Sequence, residues 1–293
     1  MKELIILSGR PDLYSTKRLY QECSLIGFKT EVVDYRKIAL GISTESDSKI
    51  LYDKRVLNPC VIIPRIGSKS TKYGAAVVRQ FIGSKVKSTI SPGGILRARD
   101  KLGTMQALSS SGVPIPLSSA ARTPSGISEV INLVNGVPVV VKLVEGTHGD
   151  GVVLAETKKA AESLLSAFHQ LDADFLVQSF IKDANNEDIR AIVVDNKVVA
   201  AMKRKASAEE FRANLHKGGS AEPVKLSNIE KNAVLKAAKS LGVAVAGVDF
   251  LRTPNGPLVI EVNISPGLQG IEEATKINVA GYIAKYAEKL CNN

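Results

Sequence analysis

The chain has 293 residues, 44% of them apolar and 23% charged, with a net charge of +10. It is too apolar for disorder at that charge, and no apolar run approaches the roughly 18 residues of a membrane helix. The length allows two domains or one large enzyme with subdomains.

The first hundred residues alternate between strand and helix patterns. Residues 4–8 read as a buried strand rather than a signal peptide, and 15–26 as a helix ending at Gly27. Strands follow at 30–34 and 61–64. A helix at 71–81 carries Tyr73, Val77, Val78 and Phe81 on one stripe. This order predicts an open parallel sheet. A turn-rich stretch at Ser91-Pro92-Gly93-Gly94 marks a boundary before one helix over 95–110. Next come a strand at 137–144, a glycine-rich loop with Gly146, Gly149 and Gly151, and a strand at 152–155. Thr157 caps a helix at 158–169, and a strand follows at 174–180. Strands at 188–194 and 197–203 meet through Asp195-Asn196, and a basic loop is expected over 204–220. A helix at 229–241, strands at 243–251 and 258–262, and a helix from 277 onward complete the chain.

Cys23, Cys60 and Cys291 are far apart and odd in number, so neither a disulfide framework nor a metal pattern is expected, and a reducing cytoplasm is the simplest compartment. Scattered His148, His169 and His216 argue against a structural zinc. Charge is uneven. Between residues 54 and 99 stand ten Lys or Arg and no acid, a field that attracts a polyanion or acidic peptide, or else a plain solvated face. With Tyr73 and Phe81 the only aromatics there, a stacking surface for single-stranded nucleic acid is poorly supported.

Four patterns carry chemistry. If the last hairpin is centred on Asn255, Asp249 faces Glu261, and Asn263 shares their side of the sheet. Such hard oxygen donors suit magnesium shared with phosphates, the bland reading being two surface acids. Lys142 closes an apolar strand ahead of the glycine loop. That unit is neither a P-loop nor a dinucleotide fingerprint, and reads as a flap over phosphate or an ordinary hairpin. Gln178-Ser179-Phe180-Ile181, ten residues before Asp188, could present backbone groups to a purine and an acid to a ribose. Arg204 and Arg212 offer guanidinium forks for carboxylate or phosphate. No serine or cysteine nucleophile pattern is present.

Together, Lys142, the glycine loop, residues 178–181, Asp188, Asp249 and Glu261-Val262-Asn263 resemble the ATP-grasp superfamily. Leu13-Tyr14-Ser15, Pro64-Arg65-Ile66-Gly67, Arg97-Ala98-Arg99-Asp100-Lys101, Phe211-Arg212-Ala213-Asn214-Leu215-His216 and Glu261-Val262-Asn263-Ile264-Ser265-Pro266-Gly267-Leu268 are similar to the bacterial RimK family. The resemblance implies an α/β ATP-grasp fold: an N-terminal open parallel α/β domain (1–94), a central lid (95–182), and a C-terminal mixed α+β subdomain with the metal site (183–293). It implies a ligase that uses ATP and two Mg2+ ions, which Mn2+ can replace, to add L-glutamate by alpha-peptide bonds. The acceptor would be the acidic C-terminus of a small-subunit ribosomal protein, or polyglutamate. The implied enzyme is a cytoplasmic homotetramer with no membrane or direct DNA role.

By the same resemblance Lys101 and Lys142 hold ATP phosphates, Gln178 faces the adenine amino group, and Ser179, Phe180 and Ile181 line the base. Asp188 holds ribose. Arg212, Ala213 and Asn214 sit by the nucleotide, and Asp249, Glu261 and Asn263 bind the metals. Separately, because the basic first domain suits an anionic acceptor, Arg65 and Arg204 are expected to contact substrate carboxylates. Ser179 stands where the family often has Glu. His148 and Asp150 stand where Gln and a small apolar residue are expected. Other acceptors, such as an amino-acid carrier protein or a deazaflavin cofactor, and an inactive ribosome- or RNA-binding module, are the alternatives.

Overall fold

The run Leu4-Ile5-Ile6-Leu7 is buried on both faces because its strand lies inside a parallel sheet. In this computed structural model, which describes residues 1–44, 49–144, 151–206 and 219–292, that strand is β1 (Glu3–Ser8). α1 (Tyr14–Leu25) leads to β2 (Lys29–Val33). A small antiparallel sheet of β3 (Ala39–Gly41), β4 (Lys49–Tyr52) and β5 (Arg55–Val56) intervenes. β6 (Val61–Arg65), α2 (Thr71–Gly83) and β7 (Lys87–Ser88) finish the unit, whose parallel strand order is β2-β1-β6-β7. On α2, Val77, Val78 and Phe81 are buried, while Tyr73 stays partly exposed and its hydroxyl donates to the Ile38 carbonyl.

The single helix expected over 95–110 is two: α3 (Pro92–Arg99) and α4 (Lys101–Ser110). Asp100 between them is extended, and its side chain accepts from the Gly103 N–H at 2.9 Å. An aspartate that can cap a new helix interrupts an old one.

The lid contains β8 (Ser118–Ser119), α5 (Ile127–Leu133), β9 (Val139–Leu143), β10 (Val152–Ala155), α6 (Lys158–Gln170) and β11 (Phe175–Ser179). Its antiparallel order is β10-β9-β11-β8. Thr157 caps α6 as expected, accepting from Ala160 N–H at 3.2 Å. Val130, Ile131, Val139, Val141, Leu165 and Val177 belong to a lid core separate from the larger one elsewhere.

The C-terminal sheet is built from β12 (Glu187–Val194), β13 (Lys197–Lys205), β14 (Ser220–Pro223), β15 (Val245–Thr253) and β16 (Gly256–Asn263), with α7 (Asn228–Ser240) inserted. Its order is β14-β13-β12-β15-β16, antiparallel throughout. Asp195 and Asn196 both take positive φ, as a tight two-residue hairpin turn demands. The loop expected from 204 begins later, because Arg204 and Lys205 still pair, with Ala221 and Ser220. The last helix expected from 277 is α9 (Val279–Asn292); it is preceded by α8 (Gln269–Thr275), a helix not expected from the sequence, with Lys276 at positive φ between them.

One large core joins the N-terminal and C-terminal sheets. α9 packs back on α1 and β6. Glu272 accepts from the Tyr14 hydroxyl (3.0 Å), Arg18 Nε (3.2 Å) and Ala280 N–H (2.8 Å). Contrary to the expectation drawn from their spacing, Cys60 and Cys291 form a disulfide, because the fold brings α9 beside the start of β6; the cysteine argument for a reducing compartment is thereby removed. Among the described residues no helix is long and apolar enough to cross a membrane.

Candidate active site

The site is organised by a polar row across the C-terminal sheet. Asp249 of β15 faces Glu261 of β16, and Gly247 faces Asn263. The hairpin turn is tighter than one centred on Asn255: Thr253 pairs with Gly256, and Phe250 with Val259. A regular ladder from that turn would set Asp249 against Ile260. A bulge between Asp249 and Phe250 in the pairing skips Ile260 and restores the Asp249–Glu261 pair. The burial alternation records the shift, with Pro257 and Val259 buried before it and Val262 after it.

Asp249 is 2% exposed and does not lie bare. Its cross-strand neighbour Arg190 donates from Nε at 2.7 Å and from Nη2 at 2.6 Å. Arg204 Nη2 adds a contact at 3.0 Å, and Asn263 Nδ2 one at 3.4 Å. Burial works against the Asp249 charge, but Arg190 and Arg204 together outweigh it and hold the carboxyl below its usual value. Arg204, 4% exposed, also clasps both oxygens of Asp188, at 2.6 and 2.8 Å. Burial opposes its charge too, yet Asp249 and Asp188 raise its pKa above the ordinary arginine value. For Asp188 burial dominates and pushes the carboxyl up to about 6, against the pull of Arg204. Thus the residues expected at a ribose and at a substrate carboxylate, Asp188 and Arg204, are paired with each other.

A second set of cations faces Glu261. Lys142 on β9 is half-buried, and burial lowers it to about 8, with Glu261 opposing the drop. Lys101, the first residue of α4, donates to the carbonyls of Leu143 (2.7 Å) and Val144 (3.1 Å). Burial lowers it as well, again opposed by Glu261. Burial lowers Arg99 in the same way, with Glu261 the main opposing charge. Arg65, at the end of β6, is brought down to about 10 by burial and by Arg99 beside it. Glu261 is thus the acid shared by Arg99, Lys101 and Lys142, while Asp249 has its own arginines.

At the other end, Phe180, Ile181, Pro138, Leu117, Ile115 and Leu258 line a cleft of about 380 Å³ between lid and C-terminal sheet. The Ser179 and Phe180 N–H groups are spent on the carbonyls of Leu117 (2.9 Å) and Pro138 (3.2 Å). Gln178, expected at the adenine amino group, is 2% exposed; its Nε2 donates to Ser118 Oγ at 2.8 Å and contacts Met105 Sδ at 3.4 Å. It therefore braces the lid from inside. Gly151 takes φ +73°, and a Cβ there would stand 2.6 Å from Leu143 Cδ1. Gly146, Gly149, Arg212, Ala213 and Asn214, with His148, Asp150 and His216, lie outside the described residues.

The spacing pointed to Asp249, Glu261, Asn263 and Lys142 but missed two arginines. Arg190 had a signal, since it lies two residues from Asp188 and so shares its face. Arg99 had only its motif. Among the described residues no three His, Cys, Asp or Glu gather as a metal site; the oxygen set is two acids and an amide. Cys23 is buried, with its thiol pushed up to about 12 by burial, which suits packing rather than nucleophilic attack.

A three-part α/β chain with a separately cored lid over a basic cleft, and an acid–acid–amide set on a terminal hairpin, defines an ATP-grasp ligase. Residues 1–95 match the RimK PreATP-grasp domain, and residues 98–287 match the RimK-like ATP-grasp domain. The chain belongs to the RimK ATP-grasp family. It is 48% identical over 289 residues to "Probable alpha-L-glutamate ligase 1" of Shewanella denitrificans, covering 99% of this chain and 98% of that protein. It is also 48% identical over 288 residues to "Probable alpha-L-glutamate ligase" of Marinobacter nauticus, covering 98% and 95%. Among solved structures, the ATP-grasp ligase PsnB, complexed with a phosphomimetic variant of its minimal precursor, Mg and ADP, superposes with a TM-score of 0.76 at 17% identity, covering 99% and 98%. A RimK domain ATP-grasp protein from Sphaerobacter thermophilus gives 0.74 at 18%, covering 97% and 99%. These two likenesses establish the fold.

Proposed function

We propose that the protein adds L-glutamate through alpha-peptide bonds to the acidic C-terminus of a small-subunit ribosomal protein, and extends free poly-alpha-glutamate in the same site. The observation that carries the reading is the gathering of Arg99, Lys101 and Lys142 around one exposed acid, Glu261, with Arg65 beside Arg99. Nucleotide, acidic acceptor and glutamate are all anions, and such a cleft draws them together. The names of the curated relatives supply glutamate and the alpha linkage.

A carboxylate is a poor electrophile until phosphorylated. In the proposed reaction the acceptor carboxylate attacks the γ-phosphorus of ATP, giving an acyl-phosphate and ADP. The glutamate amine then attacks the acyl carbon, loses a proton and expels phosphate. Lys101 and Lys142 hold phosphate oxygens as charge moves onto them. Phe180 and Ile181 seat the base. Asp188 orients Arg204, and both arginines hold Asp249 in place. Closure of the lid keeps water from the acyl-phosphate. The donor chemistry of Asp249, Glu261 and Asn263 fits Mg2+, with Mn2+ as substitute; when bound, the ion neutralises phosphate charge.

The units 1–94, 95–182 and 183–293 are the working division, and a cytoplasmic homotetramer the working assembly. The deciding experiment incubates the protein with ATP, glutamate and, separately, an acidic C-terminal ribosomal peptide, an amino-acid carrier protein and a deazaflavin cofactor. ADP release and glutamyl mass increments are then read. Addition to the acidic peptide is the expected result. Addition only to another acceptor reassigns the substrate, and salt-sensitive RNA binding without any ATP turnover removes the ligase reading.

A further inference from the structure

Most arginines on the interior faces of this protein have a carboxylate. Arg190 has Asp249, Arg204 has Asp188 and Asp249, and Arg18 has Glu22 and Glu272. Arg65 and Arg99 form no ion pair among the described residues. Arg65 Nη2 donates to the Pro266 carbonyl at 2.9 Å, and Arg99 Nη2 to the Ile66 carbonyl at 2.6 Å. Neutral carbonyls anchor the two guanidinium groups without balancing their charge. Two polar atoms here are also buried without a hydrogen-bond partner: Arg99 Nε, and Oγ of Ser265, the residue just before Pro266. Orphaned polar atoms of this kind are rare and call for a ligand or water.

The position adds a second argument. Arg65 ends β6, opposite Ser8 at the end of β1. It therefore stands at the carboxyl edge of a parallel sheet, where open α/β sheets receive ligands. Lys101 and Lys142 are compact point charges, suited to phosphate. Arg65 and Arg99 present planar forks, suited to a carboxylate.

We propose that Arg65 and Arg99, with Ser265, form a seat for a non-reacting carboxylate of the substrate, the side-chain carboxylate of a glutamate-class residue. The seat lies at the carboxyl edge of the N-terminal sheet, formed by Arg65 of β6, Arg99 at the end of α3 and Ser265 just after β16. It takes its ligand class from the ligase reading. Its consequence is specificity: an acidic side chain supplies a counter-charge to both guanidinium groups, whereas its amide isostere leaves Arg99 with only the shared field of Glu261 and Arg65 with none of its own among the described residues.

The test is isothermal titration of the full-length protein with triglutamate, with the peptide Glu-Glu-Gln, and with ADP, using wild type, Arg99→Gln, Arg65→Gln and the charge-keeping Arg99→Lys. Loss of one bidentate, charge-assisted contact should weaken triglutamate binding about tenfold or more. Arg99→Gln should also erase the preference for triglutamate over Glu-Glu-Gln, while the ADP affinity stays within about twofold. Retained ADP binding shows that each variant is folded, and Arg99→Lys should fall between wild type and Arg99→Gln. Unchanged peptide preference in both glutamine variants overturns the seat. So does a matching loss of ADP affinity, which would assign the pair to phosphate. A wild type that binds triglutamate through these arginines yet makes no glutamyl product keeps the seat and loses the ligase reading. A wild type that makes the product with both variants unaffected does the reverse.

Discussion

Asp249 stands opposite Glu261 because Ile260 is bulged out of the β15–β16 ladder. One extra residue in β16 turns Glu261 onto the side of the sheet that carries Asp249, Arg190 and Asp188. The two acids of the site then live in different conditions: Asp249 is buried and clasped by two arginines, and Glu261 is exposed to the cleft.

That difference separates their variants. Glu261→Ala removes an exposed side chain and should leave the melting temperature nearly unchanged. Glutamate-dependent ADP formation should fall by about a hundredfold or more. Chelation of divalent cations should stop turnover of the wild type, and Mg2+ or Mn2+ should restore it. Undiminished ADP release by Glu261→Ala would refute its place in the site.

Arg190→Met should behave in the opposite way. The side chains of Arg190 and Asp249 are 18% and 3% exposed, so the variant leaves a deeply buried carboxylate with Arg204 as its remaining strong partner. Breaking one side of such a pair costs about 3 kcal/mol. Urea unfolding should show the loss, and a variant as stable as wild type would argue that the pair is replaceable.

Lys142 should make nucleotide binding depend on pH. Burial lowers its pKa to about 8, below the 10.5 of an unburied lysine. Its contribution to stability is present above the unfolded value and is lost as pH falls through the folded one, because the buried charge is then uncompensated. A bound phosphate compensates it and raises the pKa. Binding of ADP near pH 9 should therefore take up protons, and affinity should fall as pH rises past about 8. Calorimetry in buffers of different ionisation enthalpy measures the uptake, and Lys142→Ala should abolish it.

Asp100→Ala tests the break between α3 and α4. Removing the cap to Gly103 should cost about 1 kcal/mol and loosen the first turn of α4, where Lys101 begins. Weaker ADP binding, measured by titration, should accompany the lower stability.

Much of the local structure was legible in the sequence. The buried β1 run, the Asp195-Asn196 turn and the Thr157 cap follow from burial pattern, positive φ and side-chain oxygen, all properties of neighbouring residues. Asp100 was legible in principle, but the apolar periodicity on either side of it outweighed a single capping residue. The Asp249–Glu261 pairing came from an assumed turn one residue too long; the bulge offset that difference, and no sequence pattern signals it.

Residue chemistry and strand alternation alone determined the candidate oxygen set, Lys142 and the alternating α/β order. Only tertiary structure decided that Arg190 and Arg204 neutralise Asp249, that Gln178 turns inward, that Cys60 meets Cys291, and that Arg65 and Arg99 have no ion-pair partner among the described residues. The reason is distance along the chain. Periodicity reports which face a side chain takes, whereas the partner across that face arrives from an element tens or hundreds of residues away, placed by packing of the whole core.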